Sequence, residues 1–185
     1  MVTPNPPFVV PANPPSPATP AKFDPSKVVM PACGTTALRG RPARQSSSFG
    51  KNGPGSAVNG DCRSNLANYP GACSSTLKNR DNPWWTTDMG KRVNWYAVSL
   101  RTVSECSQGC ASSLAGARIM IGDQPWTSSA SVNNFKLCGV VGSKVPAGAR
   151  TVITCPFAIR GRYLAVFLPK KQTALTICEV DAIMG

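Results

Sequence analysis

Eight cysteines stand at positions 33, 62, 73, 106, 110, 138, 155 and 178 of a chain that contains no histidine. An even set spread across most of 185 residues, with no imidazole to share a metal, points to disulfides rather than zinc. Disulfides persist in oxidising compartments, so the expected location is secreted, extracellular or at a cell surface. The count alone leaves roughly a hundred connectivities open. Cys106 and Cys110 have three residues between them, which does not match the Cys-x-x-Cys redox spacing and reads more simply as a small loop disulfide.

The prolines divide the chain in two. Ten of the eighteen lie in residues 1–32. Such a segment cannot form a core and favours the polyproline II conformation, so it is expected to be an extended arm or linker. It would be ordered only by lying on something, either its own domain or a neighbouring copy, with Phe8, Val9, Val10 and Phe23 as anchors. Residues 33–185 form the expected domain. About 150 residues can bury about two-thirds of the unfolded surface, enough for a real core without metals.

Within that domain, short apolar runs alternate with Gly, Pro and Ser turns. Strands are expected near 35–39, 43–48, 84–89, 92–102, 115–121, 134–140, 150–155, 161–168 and 173–183. Val93 and Trp95 alternate, and so do Val98 and Leu100; the three-residue step between the pairs predicts a bulge. Arg-Tyr-Leu-Ala-Val-Phe-Leu at 162–168 is apolar on both faces and reads as a strand buried on both sides, ended by Pro169. In Asn82-Pro83-Trp84-Trp85 at least one tryptophan is expected in the core, with an N–H that needs a partner. No amphipathic helix of useful length appears. The fold class is all-β, a sandwich or jelly roll.

The net charge is +12, from 20 basic and 8 acidic residues. The basic residues are scattered from Lys22 to Lys171 rather than gathered in a stripe between aromatics, which argues against nucleic acid. An acidic polysaccharide, an anionic glycoprotein or an acidic neighbouring subunit is the better partner. No run approaches the ~18 apolar residues of a membrane span. Residues 1–30 lack a signal-peptide pattern, so a mature or partial chain is expected. Without histidine the commonest general base is missing, and the few carboxylates form no recognisable acid/base pair, so no enzyme activity is expected.

Seven segments, in order, resemble the F-type lectin (fucolectin) family. They are LRGRPARQSSS at 38–48, SAVNGD at 56–61, Cys73 followed by NPWWTTDMGK, LAGARIMIGD at 114–123, VPAGARTVITCP at 145–156, GRYLAVFLP at 161–169 and LTICEV at 175–180. The resemblance covers residues 34–184 or so and implies a jelly-roll β-sandwich of the galactose-binding-domain type. It suggests the pairs Cys73–Cys178, Cys138–Cys155 and Cys106–Cys110, and leaves Cys33 to pair with Cys62. It implies a Ca2+ site from Ser56, Asn59, Asp61, the Ala72 and Cys178 carbonyls and Glu179, since a hard cation takes oxygen ligands.

The sugar site implied by the family is altered here. Ser75 stands where the family has a histidine. Val103 or Thr102 falls at its first arginine, with Arg101 close enough to substitute. Glu105 takes the acidic position and Ser113 the second basic one. The resemblance therefore implies a glycan-binding, adhesive module with altered or lost fucose specificity. The alternative is a structural subunit of an extracellular fibre or matrix, assembling with like or unlike chains through residues 1–32.

Overall fold

The computed structural model of the chain describes residue 24, residues 27–105 and residues 114–185. The first part of the arm, Ser113 and the expected Cys106–Cys110 pair lie outside the described residues.

Among the described residues, eight strands run in chain order: β1 (Ala43–Gln45), β2 (Ser74–Ser75), β3 (Trp84–Arg101), β4 (Arg118–Gly122), β5 (Phe135–Val140), β6 (Arg150–Phe167), β7 (Thr176–Ile177) and β8 (Glu179–Met184). Short 3-10 turns stand at Pro54–Ala57 and Ser129–Asn134. The main sheet has the order β1-β3-β6-β4-β5, with β8 also on β3; β2 and β7 form a separate two-stranded ribbon. Every pairing between these strands is antiparallel.

The two eighteen-residue strands make the sandwich. The first part of β3 lies between β1 and the end of β6, and its second part lies between the start of β6 and β8. The register breaks between Asp88 and Val93 and between Trp95 and Ala97. The second break is at the bulge expected from the Trp95-to-Val98 step. Such breaks bend strands and let them pass from one layer to the other. Trp85, Leu164, Val166, Ile119 and Ile121 from one part then meet Val98, Leu100, Ile153 and Val180 from the other in a single buried cluster.

Several boundaries differ from the sequence reading. Residues 35–39 are not a strand but a run of turns, with Arg39 N–H bonded to the Thr36 carbonyl and Arg41 N–H to that of Leu38. Gly40 at φ 71° reverses the chain, and only Leu38 in that run is fully buried. Residues 84–89 and 92–102 are one strand, because pairing with β6 resumes after Gly90 at φ 76°. Residues 150–155 and 161–168 also join. Pro156 falls in the stretch opposite the Trp95/Ala97 break, where a missing N–H breaks no ladder. The expected strand at 173–183 is split in two at Cys178.

Trp85 is wholly buried and donates its indole N–H to the Pro54 carbonyl at 2.9 Å. Trp84, its neighbour on the opposite face of the strand, packs on a second cluster of Met120, Trp126, Phe135, Ala165 and Phe167. Leu164 to Phe167 are all buried, so this strand is covered on both faces. Disulfides join Cys33 to Cys62, Cys73 to Cys178 and Cys138 to Cys155. The last bridge links β5 to the start of β6 within the core.

Candidate functional site

The Cys73–Cys178 bridge gathers the expected site residues at one end of the sandwich. Ser75 lies two residues beyond Cys73 and pairs with Thr176 across the β2–β7 ribbon. Cys178 donates its N–H to the Arg101 carbonyl at 2.9 Å, and Arg101 and Glu179 are register partners. Ala72, Cys73, Val103 and Cys178 form a small buried cluster with Leu66 against it.

This packing separates the three candidates for the arginine position. Val103 is 1% exposed and sits on the disulfide. Thr102 is equally buried and its hydroxyl donates to the Pro146 and Ala149 carbonyls. Arg101 ends β3 half-buried, and its buried Nε has no hydrogen-bond partner among the described residues. An unpartnered buried donor is costly unless something outside the described residues completes it. Ser75 is buried, with its hydroxyl already bonded to that of Thr176 at 2.9 Å. Glu105 is exposed and accepts from Asn65 Nδ2 at 2.8 Å.

The oxygen-rich corner lies on the other side of Cys178. Glu179 is 1% exposed and accepts one N–H, from Gly60 at 3.2 Å. Its carboxyl is pushed up to about 8, by burial first and then by the negative charges of Asp181 and Asp61, against the Gly60 N–H and the Arg39 charge. Asp61 is turned toward Arg63, which clasps it from Nε at 2.8 Å and Nη2 at 2.6 Å. That guanidinium holds the Asp61 carboxyl below the usual range. Asn59 accepts the Asp61 N–H at 2.7 Å, which folds the loop back on itself. Ser56 belongs to the 3-10 turn, and Ala72 is buried beside the disulfide. Among the described residues no three acidic or sulfur side chains converge as a metal centre.

Sequence reasoning missed Asp181. It is wholly buried, ion-paired to Arg150 Nη2 at 2.9 Å, and accepts from the Gly34 N–H at 3.0 Å and from the Thr36 hydroxyl at 3.2 Å. Arg150 also bonds Ser99 Oγ and the Pro31 carbonyl. Two acids two residues apart in an apolar strand share a face, and Glu-Val-Asp at 179–181 carried that signal. Gly34, at φ 73°, could not be replaced without collision, because a Cβ there would lie 2.6 Å from the Gly60 carbonyl oxygen.

No protein-family model matches the chain. Curated relatives do. Fucolectin-1 of Anguilla japonica is 35% identical over 128 residues, which is 69% of this chain and 66% of the relative. Fucolectin-4 of the same eel is 32% identical over 149 residues, 78% of this chain and 76% of the relative. Among solved structures, the F-lectin (fucolectin) from serum of the striped bass Morone saxatilis superposes with a TM-score of 0.68 at 28% identity. That match covers 79% of this chain and 47% of the bass protein, so the chain spans about half of that lectin's length. The agreement of sequence and fold over most of the domain shows that this chain belongs to the fucolectin, or F-type lectin, family.

Proposed function

We propose that the chain is an extracellular lectin domain that binds a glycan at the Cys73–Cys178 end of the sandwich, with a specificity different from that of its fucose-reading relatives. The observation that carries this reading is Arg101. Its neighbours Thr102 and Val103 are committed to the fold, whereas Arg101 keeps a buried donor without a partner. A guanidinium offers a planar fork of donors that suits paired sugar hydroxyls or a carboxylate. Glu105 supplies the acceptor nearby in sequence, and Ser75 contributes to the wall rather than a free hydroxyl.

A Ca2+ ion is part of this proposal. The donor chemistry of the corner fits a hard cation. Glu179 is a buried acid with one N–H partner and two acidic neighbours, a charge that a cation would relieve. Glu179, Asp61, Asn59 and Ser56 with the Ala72 and Cys178 carbonyls would hold it, and Asp61 would exchange Arg63 for the ion. A bound cation would brace the segment that presents Arg101.

The test is a glycan array on the oxidised chain with calcium and again with EDTA, alongside Arg101→Ala. Calcium-dependent binding to a defined glycan, lost in Arg101→Ala, is the expected result. No binding by folded protein under either condition would overturn the lectin reading in favour of a fold kept for structure and assembly.

A further inference from the structure

Both ends of β3 reach the β2–β7 ribbon beside the candidate site. The Ser46 N–H bonds the Trp84 carbonyl, Gln45 Nε2 bonds the Ser75 carbonyl, and the Cys178 N–H bonds the Arg101 carbonyl. The break between Asp88 and Val93, where β3 passes from one layer to the other, therefore lies at the far end of the sandwich. Five cationic side chains gather around this break, drawn together by two closely packed glycines. Gly90, at φ 76°, donates its N–H to Asp88 Oδ1 at 2.7 Å, and the same oxygen accepts Arg162 Nε at 2.7 Å. Arg41 Nη1 lies 3.9 Å from where a Cβ on Gly90 would stand, and Lys91 is next in the chain. A Cβ on Gly161 would come within 2.9 Å of the Gly122 carbonyl oxygen. Asp123 follows Gly122 and accepts Arg92 Nε at 2.9 Å. Ile159 belongs to the core and Gly161 packs on Ile121, so alternation turns Arg160 and Arg162 outward on either side of Gly161.

Two acids serve these five cations. Arg92 has Asp123 and Arg162 has Asp88, while Arg41, Lys91 and Arg160 form no ion pair among the described residues. Lys91, Arg92 and Arg160 are exposed, and the Arg162 side chain is 42% exposed despite its partner. The arginines are also held in place. The Ala37 carbonyl takes Arg41 Nε at 3.1 Å, and the two aspartates fix Arg92 and Arg162 by their Nε atoms. Fixing a guanidinium at Nε leaves its other N–H groups in a set direction for a further acceptor. Like charges brought this close repel one another, and a polyvalent anion relieves that repulsion where a single small ion meets only part of it.

We propose that this end of the sandwich is an interaction surface for a sulfated polysaccharide, held by Arg41, Lys91, Arg92, Arg160 and Arg162. Successive sulfate groups along the polymer lie on these cations, and the arginines meet them with charge-assisted N–H bonds. The disulfides place the chain in an oxidising compartment, where a sulfated polysaccharide rather than a nucleic acid is the polyanion it meets. None of the five cations belongs to the proposed glycan or Ca2+ residues, so the surface stands or falls apart from them.

The experiment measures binding of the oxidised full chain to heparin by calorimetry across a series of salt concentrations, with dextran as the neutral polymer and single-stranded DNA as the other polyanion. The test variant is Lys91→Ala with Arg160→Ala. The control is Lys144→Ala with Lys171→Ala, which removes the same charge from exposed lysines elsewhere. No described hydrogen bond or ion pair holds any of these four side chains, so both variants keep the fold. The expected result is salt-sensitive binding to heparin and none to dextran. At about 0.15 M salt the test variant should bind about tenfold or more weakly, and its slope of log affinity on log salt should fall by about two; the control should stay within about twofold of the parent. No binding to heparin, equal weakening in the two variants, or tighter binding to DNA than to heparin would each overturn the proposal.

Discussion

Two arginine–aspartate pairs in this molecule have the same chemistry and different surroundings. Arg150–Asp181 is held where four parts of the chain meet: the entry to the domain at Pro31–Thr36, strand β3 at Ser99, the start of β6, and β8. Its carboxylate is 1% exposed and its guanidinium 22%. Arg162–Asp88 spans the break in β3 on the outer face, with side chains 24% exposed at the aspartate and 42% at the arginine. The first pair is shielded from water and salt; the second is open to both. A buried ion pair is therefore hard to break by removing one partner, whereas an exposed one contributes little.

The sharpest way to break the comparison is Asp181→Ala. It strands the Arg150 charge, the Gly34 N–H and the Thr36 hydroxyl together, so urea unfolding should show a loss of about 3 kcal/mol or more. A loss under about 1 kcal/mol would mean the two pairs are equivalent after all.

Next in size is the response to calcium. Saturating Ca2+ should raise the unfolding free energy of the chain by about 2–3 kcal/mol at a hundredfold excess over its dissociation constant. Glu179→Gln should abolish that gain and Asp88→Asn should keep it, which a thermal melt with and without EDTA would read. Retention of the gain in Glu179→Gln would remove the cation from the acidic corner.

Asp88→Asn tests the exposed pair itself. Arg162 first, then the Gly90 N–H and the Arg162 charge, hold the Asp88 carboxyl below the ordinary aspartate value, against the opposing effect of burial. A depressed folded-state value means that stability is present above the unfolded value and is lost as pH falls through the folded one. The parent should thus lose more stability than Asp88→Asn as pH falls through that range, and the difference at neutral pH should be well below that of Asp181→Ala. The smallest expected change is the stability of Arg101→Ala, within about 1 kcal/mol of the parent, because its Nε holds no bond to lose.

The two pairs also mark what could be read from sequence. Alternation and turn spacing identified most of the strands and the bulge after Trp95, because a period of two and Gly/Pro punctuation are local properties. They failed at residues 35–39, where Leu38 is a single buried side chain on a turn rather than one of a row. They also cut β3 and β6 into halves, because a long strand that bends between layers carries turn-like residues at the bend, Gly90 and Pro156. In the candidate site, the resemblance offered three residues for one position, and nothing local could separate Arg101 from Thr102 and Val103. That choice depends on a disulfide between cysteines 105 residues apart in sequence and on the 146–149 loop, which accepts the Thr102 hydroxyl.

By itself the amino-acid sequence determined an oxidised, helix-poor, basic chain of alternating strands, and through seven ordered segments its membership of a lectin family. Those follow from composition, period and local motif. Tertiary structure alone decided that Glu179 is buried near Asp61 with one hydrogen bond, from Gly60, that Arg101 meets Cys178, and that Arg44 and Trp126 line one cavity. Each of these joins residues far apart in the chain. Burial and the distance between charges, which set their chemistry, exist only once the strands have paired.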